Sequence, residues 1–275
     1  MPIKTNLKDL KPAKDRFSRK IQLLSKGYFA PNAFPDGLIT VYPWDTQVGE
    51  WFASQARKQG QSANLIYDVI PKIAALGECK LDSFIASEAL LVLLVSRSIL
   101  HNDSVTFEAA CPHCGHRQHE TIQVPGQLQK QGEKPDGYPG WDEVTLTNSK
   151  DVVRLRPYTI GDMRALKTLS NDPAYKANKI PDPVLRLSQV TLTIGGGKPD
   201  SPQELLTWFQ ALHPGDAEQL LAYFDTMQPT LSTEVPVTCD EPACGKDFEY
   251  RLQMDIDFFR RGGPTGPNKE VAPVS

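Results

Sequence analysis

Residues 105–116 read VTFEAACPHCGH, and residues 235–246 read VPVTCDEPACGK. Set one above the other, they are two versions of a single unit. Each opens with alternating apolar residues at strand period, Val105, Phe107 and Ala109 in the first and Val235 and Val237 in the second. A pair of cysteines around a Pro-containing turn follows, then a glycine, then a second alternating stretch through Ile122 and Val124 or through Phe248, Tyr250 and Leu252. Glycine suits the position after the second cysteine, because the backbone must curl there to aim amides at the thiolate sulfurs. Two facing hairpins of this kind present four thiolates, from Cys111, Cys114, Cys239 and Cys244. Four thiolates in a tetrahedron are what zinc prefers in a closed structural site. The expectation is a split four-cysteine zinc ribbon, with the metal as a structural cofactor. Because Cys239 follows Cys114 by 125 positions (239 − 114), the ion would staple two distant parts of the chain. The gap from Cys239 to Cys244 holds four residues, longer than a two-residue knuckle.

Other uses of these cysteines stay open at this level. Cys111-Pro-His-Cys114 is also a motif of thiol–disulfide oxidoreductases, in which the first cysteine opens a helix that lowers its pKa. Residues 115–120 (GHRQHE) lack the apolar period of a helix, which disfavours that chemistry. Disulfides within each pair would close very small, strained loops. A mixed site would replace one distal cysteine by His116 or His119, although both histidines, like His113, read as exposed polar residues. Cys79 stands alone and is expected to be a small buried residue.

Working outward, the text before the first pair is mostly helical. Asp45 or Thr46 can cap a helix through Trp51 and Phe52 to Gly60. A second helix, from about Ser62, carries Pro71 and should kink or split there. A third, from about Ser83 to Leu100, is apolar on nearly every side through Leu90–Val95, which places it in the centre of a domain. Between the two units, residues 125–143 are rich in Pro, Gly and Gln and read as a linker. Val144 and Leu146, then Val153 and Leu155, flank a turn at Asn148–Asp151 and predict a hairpin. Helices are predicted from Thr159, with Asp162 three residues on, and at about 183–194, 202–212 and 216–227. Ser201, Pro202 and Glu204 form a clear helix opening. Gly195-Gly196-Gly197-Lys198 lacks the spacing of a phosphate-binding loop and reads as a turn. Trp44, Trp51, Trp141 and Trp208 are expected to anchor a core or an interface.

The organisation read from this pass is a basic N-terminal arm over 1–33, a helical domain over 34–104, and the split ribbon over 105–124 plus 234–256. A linker over 125–143, a β-hairpin and helical insert over 144–233, and a C-terminal tail over 257–275 complete it. The fold class expected is α+β, mainly helical, with the two β-hairpin knuckles of the ribbon and a small β-hairpin insert.

The whole chain has 275 residues, 40% hydrophobic and 23% charged, which is ordinary for a globular protein able to bury a core. A formal net charge of −3 gives no electrostatic reason to expect nucleic acid. The longest apolar run falls far short of the ~20 residues of a membrane helix, and no apolar run follows the first charges as a secretory signal would. Neither a membrane nor a small-molecule substrate is expected as a partner, and no pattern of catalytic residues points to an enzyme.

The order of parts resembles the baseplate hub assembly proteins, or hub assembly chaperones, of T4-type phages and contractile injection systems. The features that carry this are the helix 88–100 leading through residues 102–107 (NDSVTF) into Cys111-Pro-His-Cys114, and residues 152–162 (VVRLRPYTIGD). They continue with residues 216–221 (DAEQLL), Cys239 to Phe248, and Asp257-Phe258-Phe259. The resemblance implies a non-enzymatic role in building the central part of a contractile tail baseplate, through contacts with other tail and hub proteins. It implies assembly in the host cytoplasm. The arm carries Lys4, Lys8, Lys11, Lys14, Arg16, Arg19 and Lys20 against Asp9 and Asp15. The arm reads either as a solvated extension or as one that docks on an acidic neighbouring subunit. Extensions of the second kind wrap neighbouring subunits, which favours retention in the virion tail over departure after assembly. The competing expectation is a zinc-ribbon nucleic-acid binder, which Asp240, Glu241, Asp247 and Glu249 around the second knuckle disfavour.

Overall fold

A computed structural model describes residues 17–59, 65–101, 103–171 and 182–252. The first sixteen residues of the expected arm and the whole expected tail at 257–275 lie outside the described residues.

Helix α4 (Glu88–His101) runs through the middle. Ala89 and the unbroken run Leu91 to Ser98 are buried, as an all-round apolar helix requires. Before it come α1 (Thr46–Gln59), α2 (Leu65–Asp68) and α3 (Ile70–Ile73). Asp45 Oδ1 accepts the Val48 amide at 3.0 Å and caps α1. The break between α2 and α3 falls at Val69, two residues before Pro71, whose missing amide cannot continue the helical ladder.

The predicted hairpin forms as β6 (Asp142–Thr145) and β7 (Val152–Leu155), with Val144 opposite Val153. Then follow α5 (Ile160–Asn171), α6 (Asp182–Val190), α7 (Pro202–Ala211) and α8 (Pro214–Thr226). Ser201 Oγ accepts the Glu204 amide at 3.1 Å, and the Glu204 carboxylate reaches back to the amide of Asp200 at 2.6 Å. At the start of α5, Thr159 and Asp162 exchange the same pair of bonds: the Asp162 amide donates to Thr159 Oγ1, and the Thr159 amide to Asp162 Oδ2.

The chain is not mainly helical. Helices share the described residues with eleven short strands, paired in small antiparallel sheets. Three of these pairings carry no legible signal in sequence. Strand β1 (Arg19–Gln22), inside the stretch read as a basic arm, pairs with β2 (Leu38–Val41) at the start of the stretch read as a helical domain. After it Leu23 and Leu24 are fully buried. Strand β5 (Lys130–Gln131), in the stretch read as a linker, pairs with β9 (Thr230–Leu231) near the end of the insert. Gly132 follows it at φ 59°, and a Cβ there would lie 2.2 Å from the Gln228 carbonyl oxygen, so only glycine allows this approach. Strand β8 (Thr191–Ile194) joins β7 as the third strand of its sheet, ending the helix predicted to run to 194 at Val190. Strands of two to four residues show too few alternations to be told from loop or helix. Partners distant in sequence define them instead.

One apolar core takes residues from Leu23 to Leu252, drawing on the segments before α4, the insert and both cysteine hairpins. Cys79 is buried, and Trp44 belongs to the core with Trp51 and Trp208 against it. Trp141 lies under the Arg154 guanidinium, 4.2 Å from the ring centre. Among the described residues no helix is long and apolar enough to cross a membrane.

Candidate metal centre

The first cysteine pair sits in the turn between β3 (Ser104–Ala110) and β4 (Arg117–Gln123), paired from Ser104 opposite Gln123 to Ala110 opposite Arg117. The second lies between β10 (Glu234–Thr238) and β11 (Asp247–Arg251), with Val235 opposite Tyr250. Alternation sends Val105, Phe107, Ala109 and Ile122 to the buried face of one hairpin and Val235, Val237 and Tyr250 to that of the other. Packing these faces together brings the two turns side by side.

Both turns are built alike. The Cys111 amide donates to the His116 carbonyl at 2.8 Å, and the Gly115 amide to the Cys111 carbonyl at 2.9 Å. In the second turn the Cys239 amide donates to the Lys246 carbonyl at 3.0 Å, and the Glu241 carbonyl accepts from Cys244 and Gly245. Gly115 and Gly245 stand at φ 76° and 56°, the left-handed backbone expected after each pair. The longer gap in the second unit is taken up within the turn.

The four sulfurs converge. Cys111 Sγ lies 3.9 Å from Cys244 Sγ, and Cys114 Sγ lies 3.6 Å from Cys239 Sγ. All four lie within 4.8 Å of one another and can hold a metal ion. Four sulfurs ~2.3 Å from a central ion sit ~3.8 Å apart in a regular tetrahedron, so the donor set and spacing fit such an ion. None of the cysteines is in a disulfide. Cys111 and Cys239 are buried, whereas Cys114 is exposed and Cys244 half-buried. His113, His116 and His119 contribute no atom to the cluster, and Cys111 follows a strand instead of opening a helix.

Crowding pulls neighbouring thiols in opposite directions. Burial raises the Cys111 thiol, but amides of His113 and Cys114 and neighbouring sulfurs outweigh it and bring the group down to about 6. Burial pushes Cys239 up to about 12, helped by the sulfurs of Cys114, Cys111 and Cys244 and opposed by the Glu241 amide. Sulfurs this close cannot all carry charge without a cation among them. The amides aimed at the sulfurs are the donors expected around a metal-thiolate centre.

Contacts that alternation did not reveal hold the hairpins together. Gln118, on the inward face of β4, bonds across to the backbone on both sides of Cys239. His116 Nε2 lies 2.7 Å from Asp240 Oδ1. A polar residue at an inward position, 118 in the register of 118, 120 and 122, was the available signal for the first contact. No protein-family profile, curated protein or solved structure matches the chain.

Proposed function

We propose that Cys111, Cys114, Cys239 and Cys244 hold one structural zinc ion. On this reading the protein is a non-enzymatic structural or assembly component of a contractile tail baseplate, acting in the hub region through protein–protein contacts. The observation that carries the metal part is the convergence of four sulfurs from hairpins 125 positions apart. An all-thiolate set favours zinc over the oxygen-seeking cations, and four protein ligands close the ion to water, which suits a staple and not a hydrolytic centre. Binding at such a site is coupled to folding and contributes on the order of 10 kcal/mol.

The tail assignment rests on the ordered resemblance. Two of its segments are structural nodes. Residues 152–162 form β7 and the capped start of α5, and Asp216 in the DAEQLL segment accepts the amides of Asn148 and Ser149 in the hairpin turn. The partners are neighbouring hub and tail proteins, met first in the host cytoplasm and kept in the virion tail. Acidic side chains around the second knuckle, Asp240, Glu241, Asp247 and Glu249, oppose phosphate binding there.

Element analysis with native mass spectrometry tests the zinc, and the expected result is one zinc per chain. Affinity capture from cells producing the phage tests the role. Recovery of tail and hub proteins supports it, and a monomer that enriches no tail protein refutes it.

A further inference from the structure

We propose that Gln118 is the positioning residue of the cysteine centre, holding the two peptide groups that flank Cys239 so that its sulfur stays aimed at the metal. The proposal rests on the metal-binding reading above and adds to it the side chain outside the ligand set that governs metal retention.

Gln118 is 4% exposed, a buried amide on a hairpin whose other inward residues are mostly apolar. Its Nε2 donates to the Thr238 carbonyl at 2.8 Å and to Glu120 Oε1 at 2.6 Å. Its Oε1 accepts the Asp240 amide at 3.0 Å. The Thr238 carbonyl belongs to the peptide bond before Cys239, and the Asp240 amide to the one after it. The orientations of these two peptide planes are the φ and ψ of Cys239, and they set the direction of its Cα–Cβ bond. One side chain from the first knuckle therefore grips both planes that steer a ligand on the second. The three partners agree on which end of the amide is which: Thr238 and Glu120 require a donor, and Asp240 requires an acceptor. The arrangement is locked in a single orientation. Asp240 is also met by His116 through its carboxylate, so the residue after the ligand is held by side chain and backbone alike. Partners of this kind around metal ligands are worth about 10-fold to 100-fold in metal affinity.

The test uses the full-length zinc-loaded protein. Gln118→Leu keeps the volume and removes all three bonds. Gln118→Glu keeps the acceptor for Asp240 but sets a charge against the Thr238 carbonyl and Glu120. Phe107→Leu serves as the control, since it loosens the hairpin packing without touching the peptide groups beside Cys239. The readouts are the rate of zinc transfer to a chromophoric chelator, the melting temperature, and the absorption spectrum with Co(II) in place of zinc. Both Gln118 variants are expected to release zinc about 10-fold to 100-fold faster and to shift the sulfur-to-cobalt band. Phe107→Leu is expected to lower the melting temperature with far less effect on release and none on the band. Release from the Gln118 variants at the wild-type rate, or only in proportion to lost stability as for Phe107→Leu, overturns the proposal. Should Gln118→Leu not fold, Gln118→Asn, one methylene too short to reach both planes, is read against the same outcomes. Wild-type protein that holds neither zinc nor cobalt overturns the metal reading and the proposal together. Wild-type protein that holds zinc beside unaltered variants overturns the positioning role alone.

Discussion

The ring of Phe107 stacks on that of Tyr250, with centroids 4.6 Å apart and planes 15° from parallel. The hairpins that bring the cysteines together thus also meet through aromatic faces, both fully or nearly fully buried. Such a contact contributes about 0.5–1.5 kcal/mol beyond the apolar area it buries.

Phe107→Ala is therefore expected to cost about 3–5 kcal/mol in urea denaturation, since it leaves a cavity between the hairpins. A loss below ~1 kcal/mol would show that the two faces do not pack as described.

Removal of the metal should be read in the thiols. Treatment with a thiol-tolerant zinc chelator is expected to lower the melting temperature and to release one zinc, while Cys111, Cys114, Cys239 and Cys244 become reactive toward a disulfide reagent. Cys79, buried away from the site, should react only after unfolding. Cys239→Ser is expected to abolish stoichiometric zinc. Full zinc content in that variant would place the ion elsewhere.

The site was legible in sequence to a degree that the fold was not. Cys-X-X-Cys and its longer counterpart each sit in a hairpin with its own alternation, so the local text contains the whole unit. Helices with strong caps, at Ser201 and Thr159, were readable for the same reason: the bonds that start them span three residues. What the local text does not carry depends on partners far along the chain. Residues 19–22 (RKIQ) look like part of a charged arm until β2 lies beside them, and Lys130–Gln131 has no pattern at all without Thr230–Leu231. Leu192 and Ile194 continue a helical spacing, yet β7 offers an open edge and takes them as a strand. The strand missing from the expectation lies in these short, long-range pairings.

Arg156 offers a test of the node between the insert's sheet and its helices. Its guanidinium grips Asp162 through two bonds of 2.6 and 2.8 Å and reaches the Gln189 carbonyl at 2.7 Å. It thereby ties β7, α5 and the end of α6 together. The hydrogen bond to Asp162 is the main reason its pKa is raised. Arg156→Ala leaves the mostly buried Asp162 carboxylate without its counter-ion, and the expected loss is about 3 kcal/mol in denaturant unfolding. Arg156→Lys keeps the charge but not the two-pronged geometry and should recover only part of it. Equal stability of Arg156→Lys and wild type would show that charge alone matters.

Glu88 carries the clearest pH dependence. At the first residue of α4 its carboxylate is fully buried and accepts the Ser25 amide at 2.7 Å and the Ser25 hydroxyl at 2.8 Å. These bonds, with one from the Leu24 amide, favour the charged form, yet burial outweighs them and pushes the carboxyl from 4.5 up to about 7. The folded chain then keeps a proton that the unfolded chain releases, so stability falls as pH rises from about 4.5 to about 7 and levels off above that. At ~1.36 kcal/mol per pH unit the window is worth up to ~3 kcal/mol. Glu88→Gln is neutral at every pH, and its amide can still accept from the Ser25 amide and donate to the Ser25 hydroxyl. It should match wild type near pH 5 and exceed it near pH 8, with the gap opening between those values. Urea melts of the two proteins across this range decide the matter, because titrations elsewhere in the chain cancel in the difference. A gap that does not vary with pH would mean that Glu88 is ionised in the fold throughout.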